Sequence, residues 1–192
     1  MILPGHLSGG YLTTRGILTA AAALIGVNGH LPLSPNELIA LTIVGILSGD
    51  FPDIDVAFFY LSQISKKKSP GPEKDSHRGY ITHIPLFWLI LGLAIAGAGW
   101  LVGSLFVIIL GFIFWLGPWS HFLFDSIEYG IRWFAPFSNK RFALLPGVEF
   151  ESKHTKGGLS YYYELVVTKL WKRPQTMAEL VITGLAVWVA FH

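Results

Sequence analysis

The sequence predicts an all-α fold, a polytopic membrane bundle of about five helices with a metal site at the cytoplasmic helix ends. Three observations predict it. Of 192 residues, 52% are hydrophobic and only 14% charged, whereas a soluble domain carries roughly 25% charged residues. The hydrophobic residues gather in long runs. Histidines and carboxylates sit at the ends of those runs, where burial near hydrocarbon is costly and points to function. Length predicts a single domain over residues 1–192.

The first apolar run is Leu7–Val27, with Gly9, Gly10 and Arg15 inside it. The start MILPGHLSGGYLTTRG lacks a basic region followed by a small-residue cleavage site, so the run is expected to be retained. The second run, Glu37–Gly49, is short and rich in Leu and Ile. The third, Ile84–Trp119, has no charge. As one helix it would extend about 54 Å at roughly 1.5 Å per residue, too long for a core of about 30 Å. It is expected to fold back at Gly97–Gly103, with Trp100 at the interface. Thr176–His192 forms the last helix, with Glu179 near its start.

Basic residues set the orientation. Lys66, Lys67, Lys68, Lys74 and Arg78 lie between helices 2 and 3. Arg132, Lys140, Arg141, Lys153, Lys156, Lys169, Lys172 and Arg173 lie between helices 4 and 5. With five spans, both connections fall on one side, and the positive-inside rule makes it the cytoplasm. The expected location is the cell membrane, multi-pass, with the site facing the cytoplasm. In this topology His6 precedes helix 1, Asp53 and Asp55 follow helix 2, His77 and His83 precede helix 3, and His121 and Asp125 end helix 4. Four helix ends bring polar groups to one leaflet.

Each motif has a chemical and a bland reading. His121 and Asp125 are four apart and share a helix face. They suit one metal ion, or Asp125 orienting His121; an intrahelical hydrogen bond is the plain alternative. Pro52 breaks the helix before Asp53 and Asp55, whose carboxylates suit a bridging site. Asp50 reads as a cap or a solvated charge. His77 and His83, six apart, would sit about 240° apart on one helix, so a loop through Gly79 must bring them together. Arg78 between them suits an anionic substrate group or a lipid headgroup. His30, His154 and His192 read as bystanders. Residues 132–175 form a polar segment suited to a lid, in which Glu164 is a candidate base or ligand, or an ordinary interfacial acid. Lys66–Lys68 suit anionic lipid. The glycines at 92, 97, 99, 103 and 111 suit close helix packing.

No cysteine is present, so any metal is held by His, Asp, Glu or backbone groups. Imidazole and carboxylate are the donors of catalytic zinc and related ions. The candidate ligands are His6, Asp53, Asp55, His77, His83, His121 and Asp125. They exceed the needs of one tetrahedral ion and favour two or more. The expected cofactor is a divalent metal, zinc first, with Mn or Mg as alternatives and one to three ions in all. The candidates for catalytic roles are Arg78, Asp55 and Glu164. A net charge of +2 gives no electrostatic footprint for nucleic acid. The expected partners are membrane lipids and a small or lipid-like phosphoester.

His6, Pro52-Asp53-Ile54-Asp55, His77-Arg78-Gly79 with Thr82-His83, and Ser120-His121 with Asp125 together resemble the YdjM-like family of inner-membrane metal-dependent hydrolases, linked by name in bacteria to the LexA regulon. The resemblance covers roughly residues 5–137, including Pro136-Phe137. It implies a helical membrane hydrolase using divalent metal, with a more distant likeness to zinc-dependent phospholipase C and related nucleases. Ile84 stands where the family often has Ser, which removes one hydroxyl from that position. The expected function is hydrolysis of a phosphoester by metal-activated water. The alternative is a non-enzymatic divalent-metal carrier or sensor, which would hold its ionisable groups near the bilayer midplane.

Overall fold

Strong local signals start the helices. Ser34 caps helix α2 (Pro35–Ser48) in a capping box: its side chain accepts from the Glu37 amide, and Glu37 accepts from the Ser34 amide. Pro35 fills the first helical position, where a missing N–H costs nothing. Pro85 and Pro174 do the same for α3 (Pro85–Leu101) and α5 (Pro174–Phe191). Ser104 caps α4 (Leu105–Glu128), accepting from the Val107 amide. Helix α1 runs Leu3–Ile25. The computed structural model describes residues 3–55, 79–145 and 173–192, and these residues hold five α-helices and no strands.

The long apolar run folds back as expected, but later. Gly97 and Gly99 stay inside α3, and the chain turns at Val102–Ser104 with Gly103 at φ +66. A left-handed residue there is what glycine permits at no steric cost. Helix α4 then continues past Trp119 to Glu128, which carries His121 and Asp125 within its last two turns. The α1–α2 connection turns on Asn28 and Gly29, both with positive φ, and Val27 pairs with His30 across it. Helix α1 starts earlier than the sequence suggests, so His6 lies inside its first turns rather than before it.

Helix α4 is the centre of the bundle and packs against all four others. Leu18, Leu41, Ile109 and Ile113 form the core where α1, α2 and α4 meet. Trp88, Phe122 and Ile131 form a second core between α3, α4 and the segment after α4. Small residues let the backbones approach. A Cβ on Gly10 would lie 2.4 Å from the Gly45 carbonyl oxygen, and one on Gly92 would lie 2.6 Å from that of Gly111.

Leu105–Glu128 and Pro174–Phe191 are long and apolar enough to cross a membrane, and Pro35–Ser48 and Pro85–Leu101 are shorter apolar helices. Large apolar side chains face outward at the ends away from the polar cluster: Leu24, Trp100, Leu101, Val102, Trp188 and Phe191 are exposed. Such a surface suits lipid better than water.

Candidate metal centre

All five helices bring one end to the same place. The break after α2 is a 3₁₀ turn, Phe51–Asp53, led by Pro52. A second 3₁₀ turn, Ile81–His83, precedes α3. These turns carry Asp53 and His83, α1 carries His6, and α4 carries His121 and Asp125. The rings of His6 and His121 stack at 4.1 Å, and those of His83 and His121 meet edge to face at 5.5 Å.

The donor atoms converge in two groups that share His121. His6, His121 and Asp125 each bring a ligand atom within 4.8 Å of one another, as do Asp53, His83 and His121. Asp53 Oδ1 lies 3.4 Å from His83 Nε2 and 3.6 Å from His121 Nε2. Asp125 Oδ2 lies 3.8 Å from His121 Nε2. Two atoms each about 2.1 Å from one tetrahedral ion lie about 3.4 Å apart, so these spacings fit donors around an ion better than short hydrogen bonds.

Two histidines are oriented from behind. His121 Nδ1 donates to the Gly49 carbonyl at 3.1 Å. His83 Nδ1 donates to Asp55 Oδ2 at 2.9 Å, and the Thr82 hydroxyl donates to the same oxygen. In each ring the other nitrogen, Nε2, points into the cluster, as metal-binding imidazoles require. Asp55 therefore stands behind His83 and outside both donor groups. Thr82 supplies a hydroxyl close to the position where Ile84 lacks one. Both ring nitrogens of His6 are buried with no hydrogen-bond partner among the described residues. Leaving such a nitrogen unpaired in a protein interior costs about 1–3 kcal/mol, and an ion would satisfy one of the two.

Burial is severe. His6, His83, His121 and Asp125 are each at most 1% exposed. The Asp53 side chain is 18% exposed and marks the open edge of the cluster. Burial opposes charge on His83, but the hydrogen bonds to Asp53 and Asp55 outweigh it and hold its pKa above the ordinary 6.5. Asp50 makes no cap hydrogen bond. Burial first, and then the Asp53 charge, push its pKa up to about 6.

Of the residues expected from sequence, His6, Asp53, His83, His121 and Asp125 come together, with Asp55 one layer back. His77, Arg78 and Glu164 lie outside the described residues, as does His154. His30 is exposed in the α1–α2 turn, and His192 bonds back to the Trp188 carbonyl. Arg173, counted among the loop cations, is a buried partner of Glu128 at 2.9 Å and donates to the Tyr129 hydroxyl at 2.8 Å. Sequence reasoning missed Glu179. It is fully buried on α5, with Oε1 4.0 Å from His6 Nε2. Its signal was present: a lone acid in an apolar, membrane-length run.

The family model for the YdjM inner membrane protein matches residues 6–192. The match extends past residue 137 through the last helix. No curated protein and no solved structure matches the chain, and the likeness to zinc-dependent phospholipase C finds no support in these comparisons.

Proposed function

The chain belongs to the YdjM inner membrane protein family, and from that premise and its buried donor cluster we propose that it is a multi-pass, metal-dependent hydrolase cleaving a phosphoester at the cytoplasmic membrane face. One observation carries the reading. Five His and Asp side chains from four helix ends meet at ion-like spacing, with two imidazoles oriented by dedicated acceptors. A structural salt-bridge cluster has no need of that orientation.

His6, Asp53, His83, His121 and Asp125 would hold the metal. The two donor groups share His121, whose Nε2 offers one lone pair and would serve one ion at a time. When bound, a divalent ion activates water near neutral pH and polarises the scissile group. The residues supply the rest. The Gly49 carbonyl and Asp55 fix the tautomers of His121 and His83 and keep their Nε2 atoms inward. Asp53, at the exposed edge, lies where a substrate would approach. The apolar side chains of Phe122 and Phe124 press on His83 and His6 and exclude bulk water from the deep side. Arg78, five residues before His83, is the proposed anion-binding group, because its planar fork matches phosphate oxygens. A lipid-like substrate fits a site at the helix ends.

The test is hydrolysis of lipid and small phosphoesters by purified protein, with and without chelator. Turnover that chelator abolishes is expected. Arg78→Lys should retain metal while losing turnover. Turnover insensitive to chelator overturns the mechanism, and activity on carboxyl esters alone overturns the substrate class. The near-complete burial of His6, His121 and Asp125 favours a second reading, a metal carrier or sensor. Metal flux into proteoliposomes without hydrolysis of any substrate would select it.

A further inference from the structure

The fifth helix brings a carboxylate to the deep side of the cluster that the ligand set above does not include. We propose that Glu179 is a metal ligand beside His6, on the deep side of the cluster. The inference rests on the metal-site reading and adds α5 to it.

Four observations support it. Glu179 Oε1 lies 4.0 Å from His6 Nε2. That is too long for a hydrogen bond and about 0.6 Å beyond the spacing of two donors on one tetrahedral ion, a gap that a small side-chain movement closes. Glu179 is 0% exposed and His6 1%, so neither meets water. The Gln175 amide donates to the same Oε1 at 2.9 Å from one turn earlier, and ligating carboxylates are commonly held by such a bond. Finally, the chain makes room for this side chain. A Cβ on Gly5 would lie 2.6 Å from Glu179 Cβ and 2.7 Å from Cγ. Any larger residue beside His6 would displace Glu179, and the Ser8–Thr183 contact continues the same α1–α5 seam. A carboxylate set this deep would offset part of a dication's charge and adds a second acidic donor on the His6 side of the cluster.

The experiment compares full-length wild type, Glu179→Gln, Glu179→Asp and His121→Ala in detergent. Zinc affinity is read by competition with a chelator, and coordination by the visible absorption of the cobalt(II)-loaded proteins. Glu179→Gln preserves shape and removes the anionic ligand. Its zinc affinity should fall about 10- to 100-fold, and its cobalt spectrum should change in intensity and position. Glu179→Asp withdraws the carboxylate by one methylene and should lie between it and wild type. Glu179→Gln with wild-type affinity and spectrum overturns the proposal, while loss of zinc by His121→Ala in the same series leaves the metal site standing. If His121→Ala also keeps its zinc, the site reading itself fails. Should Glu179→Gln not fold, Glu179→Asp decides: weakened zinc supports ligation, and unchanged zinc overturns it.

Discussion

Gly49→Ala should dismantle the proposed metal centre through one methyl group. Gly49 caps α2 in ordinary right-handed conformation, φ −61 and ψ −21, so alanine is at home there and only space is at issue. A Cβ would lie 2.0 Å from the His6 carbonyl oxygen and 2.9 Å from its carbon. Ordinary contact begins near 3.4 Å, so the first turns of α1 must retreat by about 1.4 Å. Metal sites tolerate about 0.2 Å in ligand distance, so His6 leaves the donor set. The Gly49 carbonyl also accepts from His121 Nδ1, so a shift at this cap disturbs the orientation of His121 as well. Overpacking of this kind costs about 1–3 kcal/mol, or a Tm lower by roughly 5 °C in a chain of this size. The assays are thermal unfolding in detergent and elemental analysis of bound metal. Gly16→Ala and Gly184→Ala are the controls. Both positions have open space and lie within helices, where Gly→Ala stabilises by about 0.5–1 kcal/mol. A Gly49→Ala protein with wild-type Tm and metal content would refute the close approach of α1 to the end of α2.

Single cysteines placed near Lys67 and Lys156 should label from the same side of the membrane, since the chain has no native cysteine; labelling from opposite sides would break the argument for convergence. Ala at His121 or Asp125 should lower bound metal more than Ala at His30 or His192, and equal content in all four would remove the assigned ligands. Asp55→Ala should weaken metal about 10- to 100-fold through the unsupported His83 ring while Asp53 and His121 stay in place; unchanged affinity would deny Asp55 that role. The raised pKa of His83 sets opposite pH trends. In metal-free protein the protonated ring and its carboxylates stabilise the fold fully below about pH 6.5, and this is lost as pH rises through the raised value. Metal needs the neutral ring, so its affinity should climb over that same window. Tm measured from about pH 6 to pH 8.5, with metal and with chelator, should diverge as pH rises; parallel curves would count against His83 as a ligand.

Much of this protein was legible before folding. Apolar run length marked out the helices, because a backbone in hydrocarbon must satisfy its own hydrogen bonds. Ser34, Glu37, Pro35 and Pro85 set helix starts by local chemistry that needs no partner. The rarity of charge in the apolar runs made His6, His121 and Asp125 conspicuous. The helix boundaries were less legible. The turn fell at Gly103 and α4 ran on to Glu128 because packing on α1, α2 and α3 rewards extra turns that hydropathy does not register.

What the sequence by itself determined was the set of helices, the donor types and the helix ends that carry them, since each follows from contacts within a few residues. Only the tertiary structure decided which atoms meet. It put Asp53 among the donors and Asp55 behind His83, gave His121 a backbone acceptor from a residue 72 positions away, and brought Glu179 beside His6. Those choices depend on how far each helix is rotated and how closely its neighbours approach. Glycines such as Gly5, Gly10 and Gly49 fix that approach through contacts between distant segments, and a one-dimensional pattern holds no record of which segment a glycine will face.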